Sequence, residues 1–338
     1  MAEAAHWLFA DVGGTNVRTC RWSREGGIGP IARSPADASA SLEEALRGFE
    51  RSQGEVATRA AIAVALPVRG GPMRMTNRAW IVDPAGLRAA LQLRTLRVVN
   101  DFVADAAGIP ALGERDTRPL RAGSAGPGCR LLIGPGTGLG AAALVGPAGG
   151  ATGDASGDAS GDEERVLASE AGHMGLAWQG DELAPLQALG RARWGRLSWE
   201  RLLGGEGLGW LHAWRCGVDV PSAPAEVVSR AALGERAARE AVTWFSRLLG
   251  TFAGDLCLAF GADGGVWLTG GVVDGLGDAF DEDAFLQAFD DKGRYVASQR
   301  EVPVRRVLAG DLAFRGLARI VEGACRAPGV VLGDPGAG

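Results

Sequence analysis

The chain has 338 residues, which is enough for two domains of ordinary size that each bury a core. Apolar residues make up 46% of it and charged residues 22%, so it has the composition of a globular protein. Its formal net charge of -5 argues against a general nucleic-acid binder, whose contact surface would be basic. Small anionic ligands stay possible, because local groups decide their binding.

The cysteines and the single lysine restrict the chemistry further. The five cysteines are scattered, without a CxxC pair or a Cys/His cluster at zinc spacing, and we expect buried, reduced thiols in a cytoplasmic protein. No secretion signal opens the chain, and the charge-free stretch 131–153 is too rich in glycine and proline for a membrane span. The only lysine, Lys292, lies in neither a P-loop nor a kinase strand. Nucleotide phosphates would therefore need backbone amides, hydroxyls, arginine and a metal.

In chain order, the pattern alternates strands and helices. "WLFADV" and "VRTCRW" flank a Gly-Gly-Thr-Asn turn and predict a hairpin. "SLEEALRGFERS" predicts a helix that opens on a capping box of Ser41 and Glu44. "RAAIAVALPV" and "LRVVN" predict buried strands, and "DFVADAAGIPAL" predicts a helix that begins at the carboxyl end of a strand.

A second strand-turn-strand unit, "CRLLIGPGTGLGAAALVG", repeats the first hairpin. This repetition predicts an internally duplicated α/β core with a ligand cleft between its halves. "GDASGDASGDEE" is of low complexity and predicts a solvated loop. Further on, the pattern predicts a long helical stretch over 224–260, a buried strand in "GGVWLTGGVV", and an amphipathic helix over 311–327 that returns to the first domain.

The first turn combines a carboxylate with glycine residues, whose main chain is not covered by side chains. Asp11 can hold a hydrated Mg2+, because hard cations prefer carboxylate oxygens. Gly13 and Gly14 let a ligand approach the main chain, and Thr15 adds a hydroxyl, which together predict a phosphate-binding concavity. The structural alternative is a hairpin turn that merely requires glycine.

The second turn contains Gly136, Thr137 and Gly138 and partly fits the dinucleotide pattern G-x-G-x-x-A. An apolar strand follows, however, where a dinucleotide fold requires a helix. Paired with the first hairpin, this turn predicts a second phosphate clamp with Thr137 as the side-chain donor.

Several polar residues have catalytic or binding potential. Asn100 and Asp101 end a strand at the edge where α/β ligand crevices lie, and Asp101 could accept a proton from a substrate hydroxyl. The alternative is that this pair caps a helix. Glu170 and His173, in "SEAGH", are suited to hydrogen bonding with a hydroxyl-rich ligand, whereas Glu200 alone is typical of a solvated helix residue.

These motifs together resemble the bacterial glucokinases, ATP-dependent hexose kinases of the actin-like and hexokinase-like ATPase superfamily. The matching stretches run in the family's order through nearly the whole chain: "DVGGTNVR", "MTNRAW", "VVNDFVADAAGIPAL", "GPGTGLG", "SEAGH", "LSWERLL", "GGVWLTGGVV" and "FDDKGRY". The resemblance implies a two-domain, ribonuclease H-like α/β fold with an interdomain cleft. It implies a small domain over 1–112, completed by a C-terminal helix at about 305–325, and a large domain over 113–304.

The resemblance also implies a reaction and roles for residues. The γ-phosphoryl group of Mg-ATP would pass to the C6 hydroxyl of glucose, giving glucose 6-phosphate for glycolysis and ADP, with Asp101 as the base. The sugar would be held by Asn77, Asn100, Asp101, Glu170, His173 and Glu200. The Mg-ATP phosphates would contact Asp11, Gly13, Gly14, Thr15, Gly136, Thr137 and Gly138, with Gly270 and Gly271 near the adenosine. Asp11 would hold Mg2+ through water, and the protein would be a homodimer.

Two departures from the family pattern leave alternatives open. Ala171 stands where the family usually has glycine, so its methyl group is expected to change the sugar pocket slightly, and "GDLAFRGLA" replaces a Pro-Gly-Leu-Leu-Gly type segment. A kinase for another hexose, such as mannose or an amino sugar, stays possible. So does a sugar-binding regulator without turnover, although neither a helix-turn-helix extension nor a basic face is evident. The related group with a cysteine-rich zinc loop is disfavoured, because no cysteine cluster follows His173.

Overall fold

The computed structural model describes residues 6–54, 56–75, 78–146, 163–178 and 180–333. The strands are β1 (Trp7–Val12), β2 (Asn16–Ser23), β3 (Gly27–Ile28), β4 (Ala32–Pro35), β5 (Arg59–Val64), β6 (Met73–Arg74), β7 (Ile81–Val82), β8 (Thr95–Asn100), β9 (Thr117–Arg121), β10 (Arg130–Pro135), β11 (Leu139–Val145), β12 (Glu164–Ser169), β13 (Gly265–Leu268), β14 (Val304–Val307), β15 (Cys325–Arg326) and β16 (Gly329–Leu332). The helices are α1 (Leu42–Gln53), α2 (Pro84–Ala90), α3 (Asp101–Gly108), α4 (Ala184–Trp194), α5 (Trp199–Leu203), α6 (Gly207–Cys216), α7 (Pro224–Ala232), α8 (Arg236–Phe260), α9 (Gly271–Leu276), α10 (Glu282–Asp290), α11 (Val296–Glu301) and α12 (Leu312–Val321). Asn77 and positions 153–162 of the predicted low-complexity loop lie outside the described residues.

Two seven-stranded sheets repeat one arrangement. In the first, with order β16-β8-β5-β1-β2-β3 and β4 also paired to β2, the antiparallel hairpin β1-β2 is continued by β5 and β8, which run parallel to β1. In the second, with order β15-β12-β11-β10-β13-β14-β9, the antiparallel hairpin β10-β11 is continued by the parallel strands β13 and β14. The prediction of a duplicated α/β core with two glycine-turned hairpins is therefore confirmed.

Strand β1 shows how the sequence separates the two faces of a sheet. Trp7 and Phe9 pack in a core that takes residues from both sheets, whereas Leu8 and Ala10 pack in a core on the opposite face. Successive side chains of a strand point to opposite faces. Asp11, two residues after Phe9, therefore lies on the face that is turned toward the shared core.

Besides the strands, helices α3 and α12 contribute side chains to this shared core. Val103 and Ala107 of α3 and Phe314 and Leu317 of α12 are buried there together with residues of both sheets. The predicted C-terminal helix is confirmed over a shorter span than 311–327. Strand β16 follows it and pairs with β8, so the end of the described chain joins the first sheet. The domain boundaries themselves stay a prediction.

Some predicted elements differ in detail. The helical stretch over 224–260 consists of two helices, α7 and α8, separated by three residues that include the poor helix former Gly234. The predicted strand "GGVWLTGGVV" ends at Leu268, and its second glycine pair leads into α9. At α1 the predicted cap is present: the Glu44 backbone N–H donates to Ser41 Oγ at 3.1 Å, although the Glu44 carboxylate accepts from Ala40 N rather than from Ser41.

The cysteines require one correction. All five are free, and four are buried as expected, but Cys216 is exposed at the end of α6. Burial raises the pKa of the Cys20 and Cys257 thiols to about 12, so these two stay protonated at neutral pH. Within the residues that the structure describes, every helix falls short of the length and apolar character that a bilayer span requires.

Candidate active site

Asp101 lies where β8 ends and α3 begins. The preceding residue, Asn100, is the N-cap of the helix, and its Oδ1 accepts a hydrogen bond from Val103 N at 3.3 Å. Its Nδ2 donates to Leu66 O at 3.2 Å and to Asp101 Oδ1 at 2.9 Å. The capping interpretation is therefore correct for Asn100, and the same side chain also fixes the orientation of the Asp101 carboxyl group.

The surroundings of Asp101 change its acidity. Its Oδ1 accepts a second hydrogen bond from Phe102 N at 3.0 Å. Burial raises the pKa of the Asp101 carboxyl from its ordinary 3.8 to about 7, and the nearby charge of Asp11 adds to the rise. A carboxyl group with a pKa near neutrality is well suited to accept a proton from a hydroxyl and to release it again.

A third carboxyl group and an arginine complete this part of the site. Asp105 lies one turn after Asp101 on α3, and burial followed by the charges of Asp11 and Asp101 raises its pKa well above the ordinary value. Arg18 faces Asp11 across the β1-β2 hairpin and donates from Nε to Asp11 Oδ2 at 2.7 Å. Arg18 therefore offsets part of the negative charge, and its own charge lowers the pKa of Asp105. Neither Asp105 nor Arg18 was among the residues predicted for the site, although the i,i+4 spacing from Asp101 is a signal for Asp105.

The first glycine turn is held by a second arginine. Gly13, Gly14 and Thr15 connect β1 to β2, and Thr15 O accepts a hydrogen bond from Ala36 N at 2.9 Å. Arg78 donates from Nη1 to Ala36 O at 2.9 Å and from Nη2 to Gly14 O. A positive charge therefore lies beside the predicted phosphate-binding turn. Arg78 was not among the residues predicted for the site, although it stands within the matching stretch "MTNRAW".

The second glycine turn is held by backbone groups. Gly136, Thr137 and Gly138 connect β10 to β11, and Gly136 N donates to Gly138 O at 2.8 Å. Thr137 O accepts from Gly205 N at 3.2 Å, so the segment after α5 packs on this turn. Gly270, which precedes α9, also lies close by, because a Cβ on it would be 2.5 Å from Pro135 O. Gly271 is the first residue of that helix. The second turn, the residues after α5 and the start of α9 thus lie together at the carboxyl end of β10.

Phe102 connects the start of α3, where Asp101 lies, to this second hairpin. A Cβ on Gly134 would lie 2.7 Å from the Phe102 ring, and a Cβ on Gly140 only 2.0 Å from it. Glycine is therefore required at both positions for the ring to lie against the strands. Because Phe102 directly follows Asp101, this packing places Asp101 beside β10 and β11.

Glu170, His173 and Glu200 come together on the side of the second sheet. His173 Nδ1 is 3.7 Å from Glu200 Oε1, and His173 Nε2 is 4.0 Å from Glu170 Oε2. Glu200 Oε2 accepts a hydrogen bond from Leu139 N at 3.2 Å, and its side chain is 28% exposed. Glu200 is therefore not a freely solvated helix residue. Glu170 and His173 are both more than half exposed, which leaves them accessible to a ligand.

Comparison with known proteins agrees with this arrangement. The model of the glucokinase family matches residues 8–324. The chain belongs to the glucokinase family. A glucokinase from Chromobacterium violaceum is 38% identical over 325 residues, which cover 94% of this chain and 90% of the relative. One from Cupriavidus metallidurans is 37% identical and covered to 92% on both sides. Among solved structures, a glucokinase from an Antarctic psychrotroph superimposes with a TM-score of 0.76 at 29% identity, covering 94% of this chain and 98% of that one.

Membership in the glucokinase family makes the placement of Ala171 informative. Its side chain is 5% exposed and packs in the apolar core on the outer face of the second sheet. The next residue, Gly172, lies so close to β11 that a Cβ on it would be 2.2 Å from Leu139 O. The Ala171 methyl group therefore packs in the core, and its expected effect on the sugar pocket stays a prediction.

Proposed function

We propose that this member of the glucokinase family transfers the γ-phosphoryl group of ATP to the C6 hydroxyl of glucose, giving glucose 6-phosphate and ADP. The observation that carries this proposal is the state of Asp101. Its carboxyl group has a pKa of about 7, is oriented by Asn100 and by Phe102 N, and lies beside the second glycine hairpin.

Asp101 acts in its deprotonated form. Two hydrogen bonds hold Oδ1, so we assign Oδ2 to the substrate. As the C6 oxygen forms its bond to the γ-phosphorus, its proton passes to Asp101, and the bond from phosphorus to the bridging oxygen of ADP breaks. Phosphoryl transfer depends mainly on positioning and charge neutralisation, and proton acceptance by a carboxylate completes the step.

The remaining polar residues position the two substrates. Glu170, His173 and Glu200 are mutually close and hold sugar hydroxyls, as does Asn77, which lies outside the described residues. For Asn100 we propose an indirect part, because its polar atoms already bind Leu66, Asp101 and Val103.

The phosphates of ATP bind between the two glycine turns. Backbone amides of Gly13, Gly14, Gly136 and Gly138 and the hydroxyls of Thr15 and Thr137 contact them, while Gly270 and Gly271 lie near the adenosine. Arg18 and Arg78 supply positive charge at the first turn.

The donor set also fits magnesium. Asp11 offers carboxylate oxygens, the ligand type that Mg2+ prefers, and both hydrogen bonds from Arg18 go to Oδ2, which leaves Oδ1 to be assigned to a hydrated ion. When bound, Mg2+ neutralises charge on the transferring phosphoryl group.

The test is coupled detection of ADP and sugar 6-phosphate with ATP and Mg2+, across glucose, mannose, fructose and N-acetylglucosamine. We expect the highest kcat/KM with glucose and loss of turnover in Asp101→Ala. Higher kcat/KM with another sugar would favour a kinase for that hexose. Glucose binding without turnover would favour a sugar-binding regulator.

We also propose that the protein is cytoplasmic and forms a homodimer. Within each chain, we propose a small domain over 1–112 with 305–325 and a large domain over 113–304, which close over the sugar. The family resemblance supports the dimer, and sedimentation velocity tests it. The closure is supported by the origin of the site residues, since Asp101 follows a strand of the first sheet and His173 follows a strand of the second. Small-angle scattering should show a smaller radius of gyration when glucose is added.

A further inference from the structure

A second cluster of metal-ligating side chains lies on elements that carry none of the candidate active-site residues. His212 and Cys216 are one turn apart on α6, and Glu235 is the residue before α8. Three of their atoms, His212 Nε2, Cys216 Sγ and a Glu235 carboxylate oxygen, lie within 4.8 Å of one another. Although the sequence shows no zinc-type spacing of cysteines, the fold thus brings together one nitrogen, one sulfur and one oxygen ligand.

Two distances within the cluster are close to those of a tetrahedral site. His212 Nε2 is 3.5 Å from Cys216 Sγ and 3.1 Å from Glu235 Oε1. Zinc binds nitrogen at about 2.0–2.1 Å and sulfur at about 2.3 Å, which places the two ligand atoms about 3.6 Å apart across a tetrahedral angle. Nitrogen and oxygen ligands are likewise about 3.4 Å apart in that geometry. The two distances from His212 Nε2 therefore lie within a few tenths of an ångström of tetrahedral values, and the third distance, from Cys216 Sγ to the Glu235 carboxylate, is at most 4.8 Å.

The other ring nitrogen of His212 has a suitable partner as well. Nδ1 is 3.0 Å from Ser222 Oγ, and the ring is buried, with 2% of the residue exposed. A histidine that binds a metal through Nε2 carries its hydrogen on Nδ1 and usually donates it to a neighbouring oxygen, which fixes the ring. Ser222 can accept this hydrogen bond.

We propose that His212, Cys216 and Glu235 bind one Zn2+ ion that ties α6 to the start of α8. Imidazole and thiolate select a borderline ion such as Zn2+ over the hard ions Mg2+ and Ca2+. Cys216 is exposed, so water reaches the cluster and fills the fourth position. This site is separate from the proposed kinase reaction and does not depend on it.

Zn2+ binding changes the protonation of the cluster in a defined way. Ser222 Oγ and Glu235 Oε1 are the partners of the two ring nitrogens of His212, and the tautomer decides which nitrogen donates. Zinc binds cysteine as the thiolate, so binding through Cys216 releases the thiol proton. We therefore expect about one proton to be released for each ion bound near neutral pH.

The experiment uses the full chain after removal of metal by a chelator, with Zn2+ alone and Co2+ alone as probes and no ATP. Isothermal titration calorimetry in two buffers of different ionisation enthalpy gives the stoichiometry, the affinity and the number of protons released. Absorption spectra with Co2+ report thiolate ligation through a charge-transfer band in the near ultraviolet. The variants are Cys216→Ser and Glu235→Gln, with His6→Gln as a matched control at an exposed histidine.

We expect one ion per chain, about one proton released, and a thiolate-to-Co2+ band. Cys216→Ser should weaken Zn2+ binding roughly 30-fold or more and abolish the band, while His6→Gln leaves both unchanged. Zn2+ should also raise the Tm of the unmodified chain more than that of Cys216→Ser. The proposal is overturned by a Co2+ spectrum of the unmodified chain without a thiolate band, by no Zn2+ binding at about 100 µM, or by equal affinity in Cys216→Ser.

Discussion

The two glycine turns occupy equivalent places in the two sheets but differ in charge. Each connects the antiparallel strands of a hairpin. Around the turn between β1 and β2 lie two carboxyl groups and two arginines: Asp11, Asp101, Arg18 and Arg78. The turn between β10 and β11 is held by backbone hydrogen bonds and has Thr137 as its polar side chain. One carboxyl group lies beside it, that of Glu200, whose Oε2 accepts a hydrogen bond from Leu139 N at 3.2 Å.

This difference in charge suggests that the two equivalent turns serve two different functions. A transferring phosphoryl group requires charge neutralisation and proton acceptance, whereas the rest of a nucleotide requires a fixed position. We therefore assign the chemistry to the first turn and the positioning of the nucleotide to the second. Substitutions at the first turn should lower kcat by changing charge. Substitutions at the second turn should act mainly by displacing the groups that position the nucleotide.

Removal of Asp101 should have the largest effect. In Asp101→Ala, kcat should fall about 10³-fold, because general base catalysis by a positioned side chain contributes 10²–10⁴-fold. The Kd for glucose should change only a few-fold. Initial rates of ADP formation and calorimetric titration with glucose measure the two quantities. Asp283→Asn, at an exposed aspartate of α10, is the control, and near-normal kcat in Asp101→Ala would show that another group is the base.

Asp11→Asn should have the second largest effect and should also shift the pH profile. In the unmodified enzyme, kcat/KM for glucose should be about half of its full value near pH 7, the pKa of Asp101, because the base must be deprotonated. It should approach the full value about one pH unit above this pKa and fall as the pH decreases below it. The charge of Asp11 raises this pKa. Its removal should therefore move the acid limb to lower pH, and loss of the proposed magnesium ligand should lower kcat/KM for ATP roughly 10²-fold.

The direction of this shift is the sensitive readout. The substitution removes the charge of Asp11, which is the one charged group among the described residues that raises the pKa of Asp101, so the pKa should fall. An acid limb that stays in place or moves to higher pH would contradict the coupling between these two carboxyl groups. Glu43→Gln on α1 provides a charge-matched control.

Gly140→Ala, on strand β11, tests the second hairpin by displacing a neighbouring side chain without changing any charge. The new Cβ would lie 2.0 Å from the Phe102 ring, so the ring must move, and Asp101 beside it must move too. We expect a loss of about 1–3 kcal/mol in the free energy of unfolding and a fall of roughly 10-fold in kcat. Chemical denaturation and initial rates measure both.

The additional substitution Phe102→Leu should restore part of each loss, because a smaller side chain leaves room for the methyl group. Gly275→Ala is the matched control, since a Cβ there meets no atom within 4 Å. If Gly140→Ala were as stable and active as Gly275→Ala, Phe102 would not couple Asp101 to the second hairpin.

Local signals in the sequence accounted for much of this arrangement. The alternation of apolar residues and the glycine pairs predicted both hairpins, and Asn100 and Asp101 stood at the strand end where the structure has them. The family motifs identified Glu170, His173 and Glu200, which the structure brings together. Their roles in binding sugar stay predictions.

Contacts between distant segments could not be predicted from these signals. The pairing of β16 with β8 joins segments more than 200 residues apart, and nothing in either segment specifies the partner. The bonds of Arg78 to the first turn likewise depend on the tertiary fold. For the proposed zinc site, the spacing of His212 and Cys216 becomes informative only once α6 is known to be helical, and Glu235 is 23 residues from His212.

Ala171→Gly should have the smallest effect, and Gly172→Ala, at the next residue, provides a comparison. The Ala171 methyl group lies in the core beside the second sheet, so its removal should cost about 1 kcal/mol in the free energy of unfolding. The ratio of kcat/KM for glucose and mannose should stay within about twofold, because the methyl group does not reach the sugar. Gly172→Ala should be more damaging: its Cβ would meet Leu139 O at 2.2 Å and displace the adjoining His173, which lowers kcat/KM for glucose. A shift in sugar preference of more than about fivefold in Ala171→Gly would contradict the placement of this side chain in the core, and would mean that the packing of the Glu170 to His173 segment on β11 tunes the sugar pocket directly.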